Sequence, residues 1–134
     1  MKRLVYLISP KKIYKNFYSD LNKVLAYKNV NFFQLRLKKI PENKIIRISK
    51  KIRNLTKKYN VKFIINDSAK LAKIVGADGC HIGQLDGTII DAKKYMKKKI
   101  IGITCHGSKV IAYRALKNNP SYIAFGSFFK SSLK

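Results

Sequence analysis

A parallel α/β fold is what this sequence predicts, on three observations: six short runs rich in Val, Ile and Phe, five intervening stretches with helical spacing, and no two-residue hairpin signal. Strict alternation with short connections calls for right-handed crossovers, and hence for a (β/α) barrel or an open doubly wound sheet. An open sheet of the dinucleotide-binding kind needs a glycine-rich turn after its first strand, and SPKKIYKN contains no glycine. The expected architecture is therefore a (β/α)8 TIM-barrel type, incomplete, with about six parallel strands and five helices present. Residues 1–134 are expected to form one partial barrel domain that lacks strands seven and eight.

The strands are expected at 4–9, 31–37, 62–66, 79–82, 99–104 and 121–125, and the helices at 13–27, 41–59, 69–75, 89–96 and 109–117. In the second helix Ile45, Ile46, Ile48, Ile52 and Leu55 recur at roughly helical spacing, whereas Lys50, Lys51, Lys57 and Lys58 largely occupy the remaining positions. One face of that helix packs and the other is wet. Pro41 is acceptable near its start.

Thirty Lys and Arg against six Asp and Glu give a formal charge of +24. Most of the excess is Lys, spread along the chain among many Ile, Asn and Tyr residues, the mix expected from an A/T-rich coding sequence. Net charge speaks to solubility and non-specific binding, so nucleic acid is not the expected partner. Cys80 and Cys105 lie in apolar stretches without CxxC spacing, which indicates neither a disulfide framework nor a zinc site and fits a reducing cytoplasm. The start MKRLVYLISPKK has too short an apolar run for a signal peptide, and no stretch is long enough to span a membrane.

Chemistry in such folds collects at the carboxyl ends of the strands. The second strand ends in FFQLRLK, where Gln34, Arg36 and Lys38 alternate and are expected on one side of the strand. A planar fork beside a point charge suits a diphosphate. The third ends in FIINDS, with Asn66 and Asp67 where a buried run meets a helix; capping is the ordinary role for Asp67. The next loop, HIGQLDG, offers Asp86, and two acids on adjacent strand ends could share Mg²⁺ with phosphate oxygens and water. His81 is expected to be a satisfied core histidine rather than a metal ligand. Thr104, His106, Gly126, Ser131 and Lys134 make a phosphate edge at the last two strand ends. No G-x-S-x-G elbow supports a hydrolase.

Taken in order, QLRLK, FIINDSAKLAKIVGADGCHIGQLDG, KIIGITCHGS and YIAFGSFFKSSLK resemble the thiamine-phosphate synthase family over essentially the whole chain. The resemblance implies a magnesium-dependent transferase that joins hydroxymethylpyrimidine diphosphate to thiazole phosphate, giving thiamine phosphate and diphosphate. It implies Gln34, Arg36, Lys38 and Asn66 on the pyrimidine diphosphate, Asp67 and Asp86 on the metal, and Thr104, Ser131 and Lys134 among the substrate-binding residues. No catalytic acid or base is assigned, because positioning and charge stabilisation carry such a reaction.

Thr104 keeps the hydroxyl of the family's usual serine and Ser131 replaces a threonine, whereas Leu37 replaces a frequent acid and Leu133 a hydroxyl that could donate to phosphate. Lys134 closes the sixth-strand motif, so a truncated reading frame or fragment is expected. The nearest rival is the thiazole tautomerase and regulator-like branch of the superfamily, which could use His106 in acid–base chemistry; Arg36, Lys38, Asp67 and Asp86 favour the synthase. A non-catalytic basic nucleic-acid-binding protein is the alternative of another class.

Overall fold

The structure is a computed structural model that describes residues 3–129. Six strands form a single parallel sheet in sequence order: β1 (Val5–Ile8), β2 (Val30–Leu35), β3 (Lys62–Asn66), β4 (Gly79–Ile82), β5 (Ile100–His106) and β6 (Tyr122–Phe125). Between them run α1 (Phe17–Leu25), α2 (Glu42–Lys58), α3 (Ala69–Ile74), α4 (Ile89–Met96) and α5 (Lys109–Leu116). Every neighbouring pair of strands is parallel.

Alternation along the strands separates two chemistries. Phe33, Leu35, Phe63, Ile65, Cys80, Ile82, Ile101, Ile103 and Cys105 form a buried apolar layer together with Leu21 and Leu25 of α1, Ile52 of α2, Leu71 and Ala72 of α3, Met96 of α4 and Ala112 of α5. The alternate positions, Tyr6, Gln34, Asn66, His81, Thr104 and Tyr122, carry polar groups on the other face.

The sheet is a curled half-barrel. Five strand spacings of about 4.8 Å would hold β1 and β6 roughly 24 Å apart in a flat sheet. Instead the Tyr6 and Tyr122 hydroxyls lie 2.6 Å apart, so the edge strands meet through their side chains across the concave face. Gly102 makes this possible: it pairs with Tyr122 in the β5–β6 register, and a Cβ on Gly102 would lie 2.0 Å from the Tyr122 ring.

Three helices begin on side-chain caps in the loops that follow strand ends. Ser68, Thr88 and Ser108 accept hydrogen bonds from the backbone N–H of Leu71, Asp91 and Ile111. The cap of α3 is thus Ser68, and the capping role expected of Asp67 is corrected.

Other boundaries shift for local reasons. The first helix starts at Phe17 rather than Ile13, because the preceding segment is a turn in which Phe17 N–H donates to the Tyr14 carbonyl. β2 stops at Leu35, where its pairing with β3 ends, one residue after its pairing with β1 ends at Gln34. Arg36 and Lys38 therefore leave the sheet instead of continuing the strand, and Arg36 N–H donates to the Ser9 side chain at 2.9 Å. β5 extends to His106 through an irregular register after Thr104.

Among the described residues no helix is long and apolar enough to cross a membrane. Phe63 is fully buried between β3 and the helical layer, and its N–H is held by the Asp78 carboxylate at 2.8 Å. Phe63→Ala is expected to cost about 3–5 kcal/mol, read as a lowered denaturation midpoint in urea at unchanged slope.

Candidate functional site

The concave face and the strand ends together line a cavity of about 690 Å³, within the range of small-molecule sites. Gln34, Arg36, Lys38, Asn66, Asp67, Asp86 and Thr104 all line it, from four strand ends dispersed over most of the chain. Of the residues singled out in the sequence, Ser131 and Lys134, with Leu133, lie outside the described residues.

One end of the cavity is charged. Lys38 Nζ lies 3.0 Å from Asp67 Oδ2, with both side chains partly exposed. Asp67 adopts φ 66°, a left-handed conformation uncommon outside glycine and most often taken by Asn and Asp, and its N–H donates to the His81 carbonyl at 2.7 Å. That bond fixes the end of β3 to the end of β4 and turns the carboxylate into the cavity.

Asp86 Oδ2 accepts from Gly83 N–H at 2.7 Å. A side chain at Gly83 would bring its Cβ within 2.6 Å of that oxygen, so the close approach requires glycine. Burial, with the neighbouring Asp67 carboxylate, pushes the Asp86 carboxyl above its ordinary range, against the opposing pull of Gly83 N–H and Lys38.

Two neighbouring acids beside phosphate-suited cations are a donor set that fits a hard divalent ion, its other ligands coming from water and phosphate. Among the described residues no three or more His, Cys, Asp or Glu side chains gather as a metal-binding group. Asp67 and Asp86 are the pair that could hold such an ion.

The floor is polar and nearly dry. Gln34 is 3 % exposed; its Oε1 accepts from Tyr6 hydroxyl at 2.7 Å, and its Nε2 donates to Asn66 Oδ1 at 2.7 Å. Gln34 is thus a fixed element of the cavity floor, and Arg36 and Lys38 at its rim are the cationic members of the expected trio. His81 is 8 % exposed, and its two ring nitrogens contact Tyr122 hydroxyl at 2.9 Å and Thr104 Oγ1 at 2.8 Å. Desolvation lowers its pKa, with the Arg36 charge acting in the same direction and Asp67 opposing. This is the satisfied histidine that the sequence suggests.

Burial raises both tyrosine hydroxyls, Tyr6 to about 12 and Tyr122 higher still, so both stay protonated. Sequence reading passed over these tyrosines because each stands in an apolar strand run. The available signal was strand parity, which puts Tyr122 directly opposite Gly102. The far end of the cavity is formed by His106, Phe125, Gly126 and Ser127.

Parallel strands bringing two cations and a carboxylate pair to one rim define a partial (β/α) barrel with a charged cavity at its strand ends. The comparisons agree with that class. The family model for thiamine monophosphate synthase matches residues 5–134. The chain is 52% identical over 135 residues to the thiamine-phosphate synthase of Pelagibacter ubique (strain HTCC1062), covering 99% of this chain and 65% of the relative. It is 36% identical to that of Erythrobacter litoralis (strain HTCC2594), covering 97% of this chain and 62% of the relative. The solved thiamine phosphate pyrophosphorylase from Pyrococcus furiosus superposes with a TM-score of 0.84 at 29% identity, covering 96% of this chain and 62% of that one. This chain belongs to the thiamine monophosphate synthase family, and it spans less than two thirds of the length of these relatives.

The raised Asp86 pKa has a stability consequence. A carboxyl whose folded pKa exceeds the unfolded value, about 3.9, stabilises the fold fully below that value and ceases to do so as pH rises through the folded pKa. Asp86→Asn keeps an oxygen for Gly83 N–H and removes the charge. In buffer free of divalent cations it is expected to melt above wild type at neutral pH, with the gap closing below about pH 4. Identical melting at neutral pH would contradict the account of the carboxylate pair.

Proposed function

We propose that the chain carries the pyrimidine-diphosphate half of a thiamine-phosphate synthase, the barrel unit that holds hydroxymethylpyrimidine diphosphate with Mg²⁺ for transfer to thiazole phosphate. The observation that carries this reading is the carboxylate pair Asp67 and Asp86 on one rim with Lys38 and Arg36, a combination with no use in a metal-free tautomerase. Membership of the family supports the reaction class. Small-molecule substrates suit the cavity volume, and the Lys-rich surface requires no further partner.

In the reaction proposed, the bond between the pyrimidine methylene carbon and the diphosphate oxygen breaks, and the diphosphate leaves with the electron pair. The thiazole nitrogen then donates its lone pair to the pyrimidine methyl cation, forming the new C–N bond. Arg36 and Lys38 would hold the diphosphate and neutralise the charge that grows on it. Asn66, anchored by Gln34, would direct its amide toward the substrate. Bound at Asp67 and Asp86, Mg²⁺ would supply further charge stabilisation to the departing oxygens. The dry floor would keep water from the cation. Ser131 and Lys134 are the residues assigned to thiazole phosphate.

Calorimetric titration of inorganic diphosphate into the whole chain tests this. Binding in the presence of Mg²⁺ is expected to weaken by about tenfold or more when Mg²⁺ is removed, in Asp67→Ala and in Arg36→Ala, as loss of one charge-assisted contact implies. Equal binding under all these conditions would remove the assignment.

A further inference from the structure

The curled sheet is open along one side. β1 and β6 end the strand order, so each has a strand on one edge only. On β1 the N–H groups of Val5 and Ser9 donate to the Asn29 and Gln34 carbonyls, and alternation turns the N–H groups of Tyr6 and Ile8 to the opposite edge. Apolar side chains flank the opening: Leu4, Val5 and Ile8 at β1 and Phe125 on β6 are exposed. Val110, Tyr113 and Leu116 of α5 recur every three residues on one side of that helix and are exposed as well, whereas Ala112 and Ala115 are buried. Apolar surface gathered at one place marks an interaction site.

One contact sets the width of the opening. The Tyr6 and Tyr122 ring centroids lie 5.6 Å apart, and a tyrosine ring centre sits about 4 Å from its Cα, so the two backbones are no more than about 14 Å apart there. That is about three strand spacings, the room that two further strands take up. A second copy of this six-stranded sheet is too wide for such an opening, and two chains of formal charge +24 repel one another. The relatives carry a matching length: the match covers 65% of the Pelagibacter ubique protein, and the remaining 35% is ample for two strand–helix units, given that the matched part holds six strands and five helices here.

We infer that the side of the sheet between β1 and β6 is a docking groove for a separate polypeptide of two parallel strand–helix units, and that the Tyr6–Tyr122 contact holds the groove at the width such a partner fills. The partner's strands take the outer edges of β1 and β6, and the apolar face of one of its helices covers Val110, Tyr113 and Leu116. Nothing in this depends on the diphosphate reading.

The test uses the whole chain with one probe, the third of the Pelagibacter ubique relative that this chain does not match, made as a separate polypeptide. Size exclusion with light scattering should show a one-to-one complex. Amide hydrogen exchange at Tyr6 and Ile8 should slow at least about tenfold on mixing, as edge N–H groups gain strand partners. Tyr113→Asp, at an exposed position, should leave the melting of the chain alone unchanged and weaken the complex at least about tenfold. Tyr6→Phe combined with Tyr122→Phe, which removes the contact between the hydroxyls, should weaken it about threefold or more. Absence of a complex, self-association of the chain that excludes the probe, unaltered exchange at Tyr6 and Ile8, or affinity indifferent to these substitutions would overturn the inference. Diphosphate binding by the chain alone is a separate measurement: its failure would remove the proposed function and leave the groove standing.

Discussion

The curl of the parallel sheet is the constraint on which the rest of the structure depends. A flat sheet would present its strand ends as a line, with the cations after β2 far from the groups after β5 and β6. Curling brings them around one cavity, and the 2.6 Å contact between Tyr6 on β1 and Tyr122 on β6 records how far the curl has gone. The two faces then take different work. Burial of the apolar residues between sheet and helices drives folding. The concave face, relieved of that task, carries hydrogen-bonding groups that would be costly in a core if left unpaired. Here they pair with one another.

Electrostatics at the rim follows from the same convergence. Asp67 and Asp86 come from successive strand ends, and the Asp67 N–H to His81 carbonyl bond sets their mutual position. Burial of Asp86, with the like charge of Asp67 beside it, costs stability, seen in the upward shift of Asp86, and such a perturbed carboxyl in a cavity is a common mark of a functional site. Lys38 offsets part of it from outside the sheet.

Much of this was legible in the sequence because two periodicities are strong. Runs such as Lys62–Asn66 and Gly79–Ile82 coincide with their strands, and Ile89–Met96 coincides with its helix. Strand-end motifs brought Gln34, Arg36, Lys38, Asn66, Asp67, Asp86 and Thr104 to notice, and all seven line the cavity. What could not be read depends on partners distant in the chain. The alternation of Gln34, Arg36 and Lys38 looks like continuing strand, and only the pairing with β1 and β3 shows that the strand stops at Leu35. Ile13 and Tyr14 match a helical pattern and lie ahead of the helix, which begins at Phe17. Asp67 and Ser68 are equally plausible caps by residue type; the left-handed backbone of Asp67 leaves the cap to Ser68. Tyr6 and Tyr122 read as apolar strand residues, and their hydroxyl contact spans 116 positions of sequence.

The central claim is that separate strand ends converge on a single site for a divalent cation with diphosphate. Paramagnetic broadening of backbone amide resonances by Mn²⁺, added with inorganic diphosphate, tests it most directly. The account predicts loss of the signals around Lys38, Asp67 and Asp86 together, while those of Lys62, Asp78 and Lys99 at the opposite ends of the strands stay sharp. Broadening centred on Asp20 or Asp91, or spread evenly over the chain, would contradict it.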